Sequence, residues 1–223
     1  PGGAAPATPM GEPAAVGSGL ADGPADPSVA LLRAVDLGAR RDRMGDLRAA
    51  LTAAGYTDVE THIHTGNVRL TGPETTAEAV ERRLEAIFAA DRGFPVATFA
   101  LRPAEVAELA EQCAELSGLH RPEFGHYVSI LRSAPSAALI AAVEDLRRPH
   151  ELLVVRGCAV HLLYDVPYHE AKVSHAALEK LAGEGTNRNA RAVLALAAAK
   201  ALPGARVQPP PFPSSPSNER APP

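Results

Sequence analysis

The sequence predicts an α+β protein made of two similar ferredoxin-like halves of βαββα type. Each half is an antiparallel sheet covered by helices on one face, and the termini are disordered. Three observations carry this. Apolar spacing alternates between period 2 and period 3.6 in the order β-α-β-β-α-β over residues 29–101, the split β-α-β pattern. The order β-α-β-β-α then recurs between residues 126 and 184. Both ends are rich in proline: residues 1–27 hold six Pro and six Gly, and residues 203–223 hold eight Pro, too little apolar surface to offset the entropy of ordering.

The first half begins with "VALLRAV" (29–35), a short apolar run that reads as a buried strand. The charged stretch "DLGARRDR" follows as a loop. "MGDLRAALTAAGY" sets Leu47, Ala50, Leu51 and Ala54 at helical spacing, with Gly55 as the stop. "DVETHIH" alternates and "NVRL" continues after "TGN", which marks a hairpin. "ETTAEAVERRLEAIFAADRG" is a helix with Thr76 as N-cap and Val80, Leu84, Ile87 and Phe88 as its apolar stripe. "PVATFAL" (95–101) closes the half as a strand.

A linking helix, "RPAEVAELAEQCAEL" (102–116), carries Val106, Leu109 and Cys113 on one side. "HYVSILR" is a strand, "SAALIAAVEDLRR" a helix, and "ELLVVRG" and "AVHLLYDV" two strands joined at Gly157. "VSHAALEKLAGE" is a helix. After "GTNRN", read as a loop and cap with Thr186 or Asn187 as capping residue, comes a last helix in place of a final strand. The expected division is a tail over 1–27, an N-terminal half over 28–101, a C-terminal half over 102–202 and a tail over 203–223.

The bulk composition excludes several classes. The chain has 223 residues, 46% of them hydrophobic, and a net charge of -4, so no global field favours nucleic acid. No apolar run approaches the ~20 residues of a membrane-spanning helix, and no signal-peptide pattern opens the chain. Cys113 and Cys158 lie far apart without a CxxC, which fits a reducing, cytoplasmic setting. Arginine outnumbers lysine by 19 to 3, so each arginine carries less functional information than usual.

Several segments resemble the bacterial domain of unknown function 1697 family. They are "VALLRAVDLGARRDRMGDLRAAL", "THIHTGNV" and "TNRNARAV", within a resemblance covering about residues 28–200. That family runs its first strand into a "RGINVGGKN"-like loop, has a "YIQSGNV"-like hairpin, and carries "SKLT"-like and "TTRNWNTV"-like segments. Arg33, Gly38, Met44, Leu47, Gly66, Asn67, Lys172, Thr186, Arg188 and Asn189 fall on matching positions. Ala34, Asp36, Ala39, Ala190 and Arg191 depart from the pattern. The resemblance implies a fold and no activity.

Motifs of known chemistry are scarce. No GxGxxG, P-loop, GxSxG or SxxK occurs. In "HEAKVSH" His169 and His175 are six apart rather than four, which excludes HExxH zinc chemistry. His62 and His64 are two apart on one strand face; without a third ligand they read as a solvent-facing surface. His161, inside an apolar strand, reads as a hydrogen-bonded structural residue. No metal and no cofactor is expected.

The remaining candidates are cations. Arg33, Arg40, Arg41, Lys172, Arg188 and Asn189 would form an anion site if the first loop met the starts of the last two helices. The leading expectation is therefore a non-catalytic binding module for an anionic small molecule. One alternative is an enzyme using Lys172, His62 or His64 as acid or base. Another is a protein–protein interaction module working through an exposed sheet face.

Overall fold

The computed structural model describes residues 27–33, 43–62 and 66–201. Its elements, in order, are β1 (Pro27–Leu32), α1 (Arg43–Ala53), β2 (Thr57–His62), β3 (Asn67–Thr71), α2 (Ala77–Arg92), β4 (Thr98–Leu101) and α3 (Pro103–His120). The chain continues through β5 (Gly125–Leu131), α4 (Ala137–Asp145), β6 (Glu151–Arg156), β7 (Ala159–Tyr164), α5 (His175–Ala182), β8 (Gly185–Asn189) and α6 (Ala190–Ala201). They form two four-stranded antiparallel sheets of matching order, β2-β3-β1-β4 and β6-β7-β5-β8. The fold is thus α+β with two similar halves, as the apolar periodicity predicts.

Local chemistry sets most element ends. Thr76 caps α2 by accepting from Ala79 N at 3.2 Å, and Gly93 ends that helix at φ 74°. α3 starts with Pro103, and Glu105 reaches back to accept from Arg102 N at 2.6 Å. Gly157 turns β6 into β7 at φ 55°.

Two expectations change. "GTNRN" is a strand rather than a loop: β8 pairs with β5, Ile130 opposite Thr186 and Val128 opposite Arg188, so the second half is a complete β-α-β-β-α-β followed by α6. A strand needs only a partner's backbone groups, and β5 supplies them although β8 has no apolar alternation. Arg188 and Asn189 therefore sit in and at the end of a strand. Asn189, not Thr186 or Asn187, caps α6 by accepting from Arg191 N at 2.7 Å.

The helices also do not leave a bare sheet face. One face of the first sheet packs on α1 and α2 through Leu32, Leu47, Leu51 and Leu84. One face of the second packs on α4 and α5 through Leu131, Val143, Leu162 and Leu178. The opposite faces meet in a shared core where Val29, Leu31 and Phe99 join Val128 and Ile130 under α3 and α6. The near-continuous burial along β1 and β5 reflects that two-sided packing. The exposed face required by the interaction-module alternative is not offered by these central strands.

Candidate functional site

The junction between the two sheets is built by strand register. Leu31 pairs with Asn67, and Asn67 with His62, so the three share the face of the first sheet that points into the shared core. Arg188 pairs with Val128 and shares the corresponding face of the second sheet. The two faces meet at Arg188, whose side chain crosses from one half to the other.

Its contacts are specific. Arg188 Nε donates to Asn67 Oδ1 at 2.9 Å and Nη2 to the Leu32 carbonyl at 2.9 Å. Nη1 donates to Thr186 Oγ1 at 2.9 Å and to the Asn187 carbonyl at 2.8 Å. These bonds use four of the five guanidinium N–H groups. All four acceptors are neutral, and among the described residues no carboxylate lies within 4 Å of this guanidinium. Burial pulls Arg188 down to about 10, still charged at neutral pH.

The floor of the site requires a glycine. Gly66 sits at φ 73°, and a Cβ there would meet Leu32 Cβ at 3.1 Å and the Leu32 carbonyl oxygen at 3.2 Å. Gly66 O accepts from Leu32 N at 2.7 Å, which aligns the Leu32 carbonyl for Arg188. Asn67 is fully buried, with Nδ2 donating to the His62 carbonyl at 3.3 Å.

Arg33 leaves β1 beside this site but is already compensated. It grips Glu179 at 3.0 and 3.1 Å and Glu184 at 3.3 Å. Glu184 also takes Arg132 at 2.8 Å, and Arg132 reaches Glu81 at 2.9 Å and Glu85 at 3.3 Å while lying over the Phe99 ring. Two arginines thus share four carboxylates across the halves, and among the described residues of the junction Arg188 is the arginine without a carboxylate partner.

Beside Arg33, Ser129 Oγ lies 2.8 Å from His175 Nδ1, and His175 Nε2 lies 3.5 Å from Glu179 Oε1. Serine, imidazole and carboxylate in series have the connectivity of a nucleophile, base and orienter. Ser129 is 0% exposed on β5, so a substrate carbonyl has no approach to its hydroxyl. Desolvation is the largest influence on His175 and lowers it, a state suited to a structural hydrogen bond.

Of the remaining described candidates, neither Lys172 nor the His62 side chain contacts Arg188. Lys172 is exposed before α5, its N–H bonded to Glu151 Oε1 at 2.8 Å, and no described side-chain contact joins it to Arg33 or Arg188. His62 is half-buried, with Glu60 at 3.5 Å; with Val29, Pro103 and Val106 it lines a small cavity at the rim of the shared core rather than standing on a fully solvated face. His64, Arg40 and Arg41 lie outside the described residues. One group among the described residues has metal-ligand spacing: Cys113, His126 and His161, whose ligand atoms all lie within 4.8 Å of one another. By sequence Cys113 reads as helix packing and His161 as a structural residue, and no spacing rule links residues on α3, β5 and β7.

Fold and junction together define a two-sheet α+β protein with a half-buried arginine bridging its halves. The chain belongs to the family described as Protein of unknown function (DUF1697), which matches residues 26–161. Arg188 lies beyond the matched segment, although its partners Leu32 and Asn67 lie inside it. The solved structure of the conserved bacterial protein SP0830 from Streptococcus pneumoniae is similar to this chain. The two are 23% identical with a TM-score of 0.61, over 78% of this chain and 98% of that one. At that identity the likeness concerns the fold. No curated protein matches the chain. No helix among the described residues is long and apolar enough to cross a membrane.

Proposed function

We propose that the protein is a non-catalytic binding module for an anionic small molecule, with Arg188 as the anchoring cation. The observation that carries this is a half-buried guanidinium held by four neutral acceptors, with one N–H left over and no carboxylate in ion-pair range among the described residues. Desolvating a cation without a counter-charge is costly, and a bound phosphate or carboxylate offsets that cost through charge-assisted hydrogen bonds. Arg33 and Arg132 are neutralised by their glutamates, so they position the junction rather than compete for the ligand. The burial of Ser129 speaks for binding without chemistry.

The test is a thermal-denaturation screen at low ionic strength with inorganic phosphate, phosphorylated metabolites and dicarboxylates, against chloride at matched ionic strength. A specific anion raises the midpoint by mass action. The rise should vanish in Arg188→Met and persist in Lys172→Met. An equal rise in both variants and the parent would show that Arg188 does not anchor the anion.

A further inference from the structure

A second polar cluster lies inside the shared core, on the other side of β5 from Arg188. Cys113 comes from α3, His126 from β5 and His161 from β7. Cys113 and His161 are 0% exposed and His126 is 6% exposed. His126 Nε2 and His161 Nδ1 face each other at 2.9 Å, and the Cys113 sulfur and one nitrogen of each ring all lie within 4.8 Å of one another. The outward nitrogens are both engaged. His126 Nδ1 lies 2.8 Å from Ser117 Oγ, and His161 Nε2 lies 3.1 Å from Gln112 Oε1. Ligating histidines typically have this feature, the second ring nitrogen held by an outer partner that fixes tautomer and orientation.

We propose that Cys113, His126 and His161 form a buried three-ligand site for monovalent copper, Cu(I). Charge decides the oxidation state. One thiolate and two neutral imidazoles carry a single negative charge, which a monovalent cation cancels and a divalent one overshoots. A surplus positive charge in a dry core is costly. Burial keeps both imidazoles neutral, as ligands must be. Softness decides the element: a thiolate with imidazoles selects copper or zinc, and zinc asks for a fourth ligand where copper(I) is satisfied by three.

The protons balance. Because Gln112 Oε1 can only accept, a neutral His161 carries its proton on Nε2 and accepts at Nδ1 from His126 Nε2–H, which leaves His126 Nδ1 to accept from Ser117. On binding, His126 moves its proton to Nδ1 and donates to Ser117, which frees Nε2. His161 already presents Nδ1. The Cys113 thiol, pushed up to about 12 by burial, gives its proton to solvent as the Cu–S bond forms. One proton is released per Cu(I), with no change of oxidation state.

The experiment uses the full chain, reduced and anaerobic, titrated with Cu(I) in competition with a chromogenic Cu(I) chelator. The expected result is one Cu(I) withdrawn per chain, with one proton released. Cys113→Ser should weaken binding by at least about 100-fold, while Cys158→Ser, which removes an exposed thiol, should leave it unchanged. X-ray absorption on the parent complex guards against misfolding of the variant and should find one sulfur and two nitrogen neighbours at about 2.0–2.3 Å. Copper left entirely with the chelator, binding lost in Cys158→Ser, a shell of several sulfurs, or tighter uptake of Zn(II) than of Cu(I) would each overturn the assignment.

Discussion

Arg188 Nε donates to Asn67 Oδ1 at 2.9 Å, joining residues 121 positions apart and the two halves of the molecule. Asn67 is buried on the hairpin of the first sheet and Arg188 on an edge strand of the second. A neutral amide holds the guanidinium where a carboxylate would have neutralised it.

Asn67→Asp should therefore abolish anion-dependent stabilisation. The new carboxylate would sit at hydrogen-bond distance from Arg188 and supply the missing counter-charge. Thermal denaturation with and without phosphate checks this. The phosphate-induced shift should fall to zero, whatever the ligand-free midpoint, which gains an ion pair to Arg188 and loses the bond to the His62 carbonyl. A shift equal to the parent's would place the anion elsewhere.

Gly66→Ala should destabilise by about 1–3 kcal/mol. The position needs φ 73°, and the added Cβ would press on the Leu32 side chain and carbonyl. Because Leu32 O accepts from Arg188, the phosphate response should weaken as well. Urea denaturation gives the first number and the phosphate titration the second.

Leu84→Ala should cost roughly 2–4 kcal/mol, since Leu84 is fully buried between α2 and the first sheet. An unchanged urea midpoint would contradict its place in the core. Anion binding should be unaffected, because Leu84 lies on the opposite face of that sheet from Asn67.

Acid should destabilise the metal-free protein well before its carboxylates protonate fully. Burial lowers His126 to about 4 and His161 to about 3, whereas both titrate near 6.5 when unfolded. Below 6.5 the unfolded chain binds protons that the folded chain refuses, so stability is full above that pH and falls as pH drops towards 4 and then 3. The loss is on the order of 1 kcal/mol per pH unit for each ring. Urea midpoints at pH 7, 6 and 5 should decline, and His161→Gln should flatten the decline.

The sequence by itself determined the α+β class, the two matching β-α-β-β-α units and most helix ends. These are local matters: apolar period separates strand from helix, Thr76 caps its own helix, and Gly66 and Gly93 take backbone angles that other residues resist. It also singled out "TGN" and "TNRN", the two segments that meet at Arg188. Four things were decided only by tertiary structure. β8 became a strand because β5 offered a free edge, a fact absent from its five polar and glycine residues. The second face of each sheet was buried because the halves pack on each other, whereas periodicity records which residues are apolar and not what they meet. Charge pairing was settled by proximity: Arg33 found Glu179 and Glu184, Arg188 found neutral acceptors, and composition does not distinguish one arginine from the other. Cys113, His126 and His161 likewise became neighbours only when α3 lay across β5 and β7, since a ligand cluster is a relation among distant backbone positions that no local pattern encodes.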